Sequence, residues 1–259
     1  MYRTLRAEVD AGVGRLTLAR PDAGNAIDLE LATELDAVTA AWANRDDVRV
    51  VVIRGEGPRF CVGGDLRAFA AEDDLPVHLT EVTAHLHASL ARLGRMRAIV
   101  VVGVHGSAAG AGFSLACSGD VVLAAASARF VLAYSAVGLT PDGSATWYLP
   151  RVVGLRRALD LALTNRAIDA AEAERLGLVS RVVADDALDD EVEAVVATLA
   201  NGPASALAAT KRLLRASGAN ALEQQLELET EALAAAAGSP DGHEGIEAFL
   251  AKRPADFRR

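Results

Sequence analysis

The chain has 259 residues, half of them hydrophobic, with few aromatics, a formal net charge of −9 and a pI near 5.1. That acidic balance argues against nucleic acid or an anionic membrane surface as the main partner, although helix dipoles and a few Arg or Lys can still hold an anionic ligand locally. Two cysteines, Cys61 and Cys117, cannot build a disulfide framework. No CxxC or HxxxH pattern points to a metal, and no apolar run reaches about 18–20 residues. A cytoplasmic protein is expected, and an α/β fold of this size often forms one unit.

Residues 5–9 and 14–18 alternate in polarity around Asp10-Ala-Gly12, which signals a hairpin. A loop follows at Arg20-Pro-Asp-Ala-Gly-Asn. Asp28 is placed to cap a helix, because Leu29, Leu31, Leu35, Val38 and Trp42 then recur at helical spacing. Residues 48–54 and 99–104 are β-branched and apolar on both faces, the pattern of buried strands. Between them lie a loop at 55–64, a helix opened by Asp65, and a longer helix over 77–93. Residues 106–112 read as a Gly/Ala-rich turn and 113–117 as a short amphipathic stretch. Strands are expected at 119–124, 129–132 and 179–183, with helices at 143–149, 155–163 and 169–176. Past 187 the strand signals vanish, leaving helices near 187–200, 203–216, 221–237 and 242–250. Alternating strands and helices imply a layered β/α core, expected over 1–186, with a helical module over 187–259.

Residues 105–149 hold the strongest chemical signal. Small residues at Gly110, Ala111 and Gly112 allow another group to approach the backbone closely. Amides that open a helix have no intrahelical partner, so the loop can receive developing negative charge without using a side chain. Asp142, in Thr-Pro-Asp-Gly, is the best candidate for a lone catalytic carboxylate, although Pro-Asp-Gly is also a common turn sequence.

Four stretches, in order, carry a resemblance over nearly the whole chain. They are Arg20-Pro-Asp-Ala-Gly-Asn-Ala-Ile, Phe60-Cys-Val-Gly-Gly-Asp-Leu, His105-Gly-Ser-Ala-Ala-Gly-Ala-Gly, and Leu149-Pro-Arg-Val-Val-Gly with Leu163-Thr-Asn-Arg and Ala173-Glu-Arg-Leu-Gly-Leu-Val. The C-terminal Ala248-Phe-Leu-Ala-Lys-Arg-Pro-Ala-Asp-Phe also fits. The chain resembles the crotonase (enoyl-CoA hydratase/isomerase) superfamily. The resemblance implies an α/β crotonase (ClpP-like) fold, in which a superhelical core of repeated ββα units precedes a C-terminal helical trimerisation module. It also implies trimers or dimers of trimers, an acyl-CoA thioester substrate, and no cofactor beyond the coenzyme A carried by that substrate. The two backbone amides of the family's oxyanion hole map onto Gly64 and Ala111, with Gly110 beside the second. Arg20, Ala26 and Ile27 match the loop that meets the nucleotide part of CoA, and Asp65 and Leu66 match the strip beside the adenine. Lys252 and Phe257 match C-terminal residues that can reach a neighbouring subunit's ligand.

The resemblance departs from the hydratases at one point. Where they carry two glutamates that hold and activate water, this chain has Ser114 and Tyr134, neither a carboxylate base at neutral pH. Ser114 could hydrogen-bond a water but reads more simply as a cap of its helix. Asp142 matches the working aspartate of isomerase branches and of aryl-CoA dehalogenases, so double-bond or ring isomerisation is expected. Two alternatives stand beside it. One is dehalogenase-like hydrolysis with Asp142 as nucleophile and His87 as base; the other is a non-catalytic acyl-CoA binder. Phe69, Leu86, Tyr134, Val137 and Trp147 are candidate walls of the acyl cavity.

Overall fold

The computed structural model describes residues 2–258. Strand β1 (Leu5–Asp10) turns through Ala11 and Gly12 into the antiparallel β2 (Val13–Leu18), the expected hairpin. The Asp28 carboxylate accepts the Leu31 amide at 2.8 Å and caps α1 (Leu29–Ala43). Next come β3 (Val50–Gly55), α2 (Leu66–Phe69) and α3 (Leu75–Arg95), then β4 (Ile99–Val104), β5 (Ser107–Ala109) and α4 (Ala111–Cys117). β6 (Val121–Ala125) and β7 (Arg129–Val131) lead to α5 (Ala145–Val153) and α6 (Leu155–Thr164). β8 (Ile168–Asp169), α7 (Ala170–Arg175) and β9 (Arg181–Val183) complete the strands. Four helices end the chain: α8 (Leu188–Ala200), α9 (Ala204–Ala216), α10 (Leu222–Ala237) and α11 (Pro240–Leu250).

The main sheet runs β1-β2-β3-β4-β6-β9 and is parallel beyond the first hairpin; a second sheet runs β5-β7-β8. Successive residues of a strand point to opposite faces, and the buried side chains divide accordingly. Val51, Ile53, Val100, Val102 and Val104 join the core formed with α1 and α3. Val50, Val52, Val101 and Leu123 face the other way, against Leu188, Val192 and Val196 of α8. Both faces are therefore covered, which explains why these strands are apolar throughout. α8 begins where the helical module was expected, yet it forms one layer over the main sheet.

Two differences from the sequence reading centre on α4. The turn expected at 106–112 contains β5, which pairs with β7 in parallel register. The short helix expected to be amphipathic is buried on all sides. Phe113 meets Phe130 edge to face at 6.4 Å. A Cβ on Gly112 would fall 2.2 Å from the Cys61 carbonyl oxygen, so only glycine lets the helix lie this close to that backbone. β8, two residues long, is also absent from the sequence reading; so short a strand has no periodicity to reveal it. No single helix among the described residues is long and apolar enough to cross a membrane.

Helix α9 is locked to the core by a charge cluster around buried Lys211. The Lys211 ammonium lies 2.7 Å from Asp120 and donates to the carbonyls of Leu93 and Ala98 at 2.9 and 2.8 Å. Arg215 meets the same carboxylate and the Tyr148 hydroxyl, both at 2.5 Å. Burial pulls the Lys211 pKa down, and Asp120 opposes that pull. Asp120→Ala would leave buried Lys211 unpaired. A loss of about 3–5 kcal/mol is expected in urea unfolding.

Helices α1 and α3 are joined by Asp36, which accepts His85 Nδ1 at 2.7 Å and also meets Arg92. Burial pushes the Asp36 carboxyl up, but His85 and Arg92 outweigh it and hold it below the ordinary carboxylate range. A carboxyl depressed on folding stabilises the native state above its unfolded pKa, and that contribution disappears as pH falls through the folded value. The thermal midpoint should therefore drop below about pH 4, and Asp36→Asn should flatten that part of the profile in calorimetry.

Candidate active site

The site is built where two backbone segments meet. The buried Asn25 side-chain amide donates to the carbonyls of Glu56, Arg59 and Phe60 at 2.8–3.1 Å, fixing the loop over 20–27 to the segment that follows β3. That segment runs beside β5: the Cys61 amide donates to Ser107 and the Ala109 amide to Cys61. It then crosses Ile27 in a parallel bridge at Gly64. Gly63 has φ +100, and a Cβ there would lie 2.9 Å from the Ala109 oxygen and 3.2 Å from the Ala111 nitrogen. Only glycine satisfies both the dihedral and the contact. The chain thus brings Gly64 next to Ala111, the first residue of α4. Neither amide has a hydrogen-bond acceptor among the described residues.

Gly64 and Ala111 line a cavity of about 270 Å³. Leu66, Phe69, Leu86, Leu132 and Val137 make its walls apolar, and Asp142 is the acidic residue lining it. Asp142 precedes a turn in which Gly143 and Ser144 both have positive φ, at 59° and 68°. Tyr134 donates to Asp142 Oδ1 at 2.6 Å. Burial, followed by the adjacent Asp142 charge, pushes the phenol pKa far up, so Tyr134 remains a protonated donor. Fully buried Ser114 donates to the Asp142 carbonyl at 2.9 Å, with its oxygen 3.1 Å from the Tyr134 hydroxyl.

His87 approaches from behind. Its Nε2 lies 3.4 Å from Asp142 Oδ2 and accepts the Gly143 amide at 3.1 Å. The imidazole lines a neighbouring cavity of about 510 Å³ with Trp147, Tyr148, Arg95 and Arg215. Trp147 therefore belongs to that second cavity and not, as expected, to the acyl walls. Phe69, Leu86, Tyr134 and Val137 do line the first.

The remaining candidates are distributed differently. Arg20 pairs with Asp28 at 2.8 Å and Asp65 at 3.0 Å and donates to the Ala26 carbonyl, so its guanidinium braces the loop. Burial pushes the Asp65 carboxyl up, but the Ala68 amide and Arg20 outweigh it and hold it low. Ile27, Leu66 and Gly110 line the cavity, and Leu66 is also half exposed. Lys252 is exposed after α11, and the Phe257 ring sits near Gly245, away from this chain's cavity. The Cys61 thiol is pushed up to about 12 by burial and donates to the Asn25 carbonyl, so it is not an available nucleophile. Sequence reasoning undervalued Ser114; its link to Asp142 spans 28 residues and leaves no local trace.

The enoyl-CoA hydratase/isomerase family model matches residues 8–259. The chain belongs to that family. It is 40% identical to a probable enoyl-CoA hydratase of Rhodobacter capsulatus over 99% of this chain and 98% of that one. It is 36% identical to the 1,2-epoxyphenylacetyl-CoA isomerase of Escherichia coli over 99% of both. A crystal structure of an enoyl-CoA hydratase from Polaromonas sp. JS666 superposes with a TM-score of 0.91 at 34% identity, covering 97% of this chain and 98% of that one. The crotonase fold and an acyl-CoA enzyme of this family are thereby established, and family members include both hydratases and isomerases.

In this crotonase enzyme Gly63 meets the start of α4 with both a positive φ and a close backbone neighbour. Gly63→Ala is expected to cost about 1–3 kcal/mol through the strained dihedral alone, read as a lowered midpoint in thermal unfolding.

Proposed function

We propose that this enzyme isomerises an acyl-CoA thioester, moving a double bond or rearranging a ring through an enolate. The observation that carries the reading is the cavity's acid–base inventory. Asp142 is its lining carboxyl group, and the two hydratase glutamate positions hold Ser114 and Tyr134, whose hydroxyls are engaged with each other and with Asp142. Water activation by a glutamate pair has no counterpart here.

In the proposed reaction, the Gly64 and Ala111 amides receive the thioester oxygen. Asp142 takes a proton from the acyl chain, and the C–H electron pair moves into the enolate, placing negative charge on that oxygen. Asp142 then returns the proton at another carbon as the electrons move back. Tyr134 holds the carboxylate oriented. The apolar walls exclude water that would compete for the proton. CoA is proposed to run along Arg20, Ala26 and Ile27 and past Asp65 and Leu66, with Gly110 beside the thioester. Exposed Leu222, Leu226, Leu233, Ile246 and Phe249 on α10 and α11 support a trimer or dimer of trimers, in which Lys252 and Phe257 serve a neighbour's ligand.

The 3.4 Å approach of His87 to Asp142 favours a second reading, aryl-CoA dehalogenation with Asp142 as nucleophile. Against it, His87 Nε2 already accepts the Gly143 amide, so a base role would require that bond to break.

A panel of 3-enoyl, 2-enoyl, epoxide and haloaryl CoA esters, followed by mass and ultraviolet absorbance, tests the reading. Isomerised product of unchanged mass is expected; a hydrated product alone, or halide release, would overturn it. Asp142→Asn should lower kcat by roughly 10²–10⁴-fold while retaining thioester binding. Ala111→Pro deletes the amide at a helix position that tolerates proline. It should lower kcat/KM by about 10²–10³-fold.

A further inference from the structure

Ser114 does more than occupy a position left by a missing carboxylate. The hydroxyl is fully buried on α4, four residues after Gly110, and its oxygen faces three polar atoms. These are the Asp142 carbonyl at 2.9 Å, the Tyr134 hydroxyl at 3.1 Å and the Gly110 carbonyl at 3.4 Å. A hydroxyl has one proton and two lone pairs. The Ser114 proton goes to the nearer carbonyl, that of Asp142, which leaves its lone pairs toward Tyr134. Tyr134 also has one proton and two places to send it: Asp142 Oδ1 at 2.6 Å or Ser114 Oγ at 3.1 Å.

The choice between those places depends on the charge of Asp142. An ionised carboxylate is the stronger acceptor and holds the phenol proton. Once Asp142 carries a proton, its oxygen accepts weakly, and Ser114 Oγ becomes the competing acceptor. We infer that Ser114 is a positioning residue that completes a three-member relay, Asp142–Tyr134–Ser114, and selectively stabilises the proton-loaded form of the base. The relay rests on the reading of Asp142 as acid/base. No covalent bond changes: the phenol O–H swings between two acceptors, and the Ser114 O–H stays directed at the Asp142 carbonyl. The packing supports the arrangement, since a Cβ on Gly143 would lie 2.9 Å from the Ser114 Cβ. α4 therefore presses against the turn that carries the base and also provides the Ala111 amide.

The ionisable groups facing Asp142 are Tyr134, which donates to Oδ1, and His87 of α3, 3.4 Å from Oδ2. Arg95, Tyr148 and Arg215 line the cavity on the far side of His87, and on α4 the group that reaches Asp142 is the Ser114 hydroxyl.

The two hydroxyls should therefore act on the base in opposite directions. Removing Ser114 Oγ penalises the loaded carboxyl, whereas removing the Tyr134 hydroxyl penalises the ionised one. The test is carbon NMR titration of the full-length protein labelled at aspartate, with the Asp142 signal assigned by its loss in Asp142→Asn. Ser114→Ala and the near-isosteric Ser114→Cys should each lower the Asp142 midpoint by roughly half to one pH unit, and Tyr134→Phe should raise it by a similar amount. The acid limb of the kcat profile should move the same way with KM little changed. Midpoints unmoved in both Ser114 variants would overturn the relay. So would a shift in Ser114→Ala that Ser114→Cys restores to the parent value, because the effect would then be packing. The titration reads the relay without turnover. Undiminished turnover by Asp142→Asn would instead remove the proposed isomerisation.

Discussion

The close approach of Gly63 to the start of α4 is the contact on which the site depends. It places two unpartnered amides side by side, and each comes from a different part of the chain: one follows the loop after β3, the other follows β5. The Gly63 segment is irregular there, and it meets the other segment at the junction of β5 and α4. Their positions are held by neighbours, with the Asn25 amide bonded to three carbonyls on one side and Gly112 pressed against Cys61 on the other. A pair of main-chain amides cannot adjust by changing rotamer. It must be fixed by the fold, and the complete burial of α4 provides that rigidity.

Electrostatically, the pocket is economical. Arg20 is neutralised by Asp28 and Asp65 within the loop that it braces, and the buried thiol of Cys61 stays protonated. The cavity beside Gly64 and Ala111 is lined by one carboxyl group and a phenol that keeps its proton. Such an inventory suits the proposed isomerisation, in which one proton leaves and re-enters the same acyl chain, since no second carboxylate among the described residues lines the cavity.

Much of the architecture was legible because it rests on local patterns. The alternation around Asp10–Gly12, the apolar runs at 48–54 and 99–104, and the Asp28 cap all declare themselves within a few residues. The Gly/Ala-rich segment also announced an unusual backbone approach. What it approaches was not legible, because Cys61 lies 51 residues before Gly112. The burial of α4 was hidden for a related reason: a seven-residue helix has too few positions for periodicity to separate one face from another. Ser114 shows the same limit at the site. Alone it is an unremarkable helix residue, and its meaning depends on a turn 28 residues later. Trp147 was misplaced because an aromatic near a catalytic turn can face either of two adjoining cavities.

The clamp between α9 and the core bears on how the chain reaches its native state during synthesis. Asp120 precedes its counter-charge at Lys211 by 91 residues in the chain, and Val192 and Val196 of α8 shield one side of the main sheet. A nascent polypeptide released at residue 186 would hold an uncompensated anion and an uncovered valine surface. The long N-terminal portion thus relies on the chain beyond 186 both to pair a carboxylate and to cover one face of its sheet.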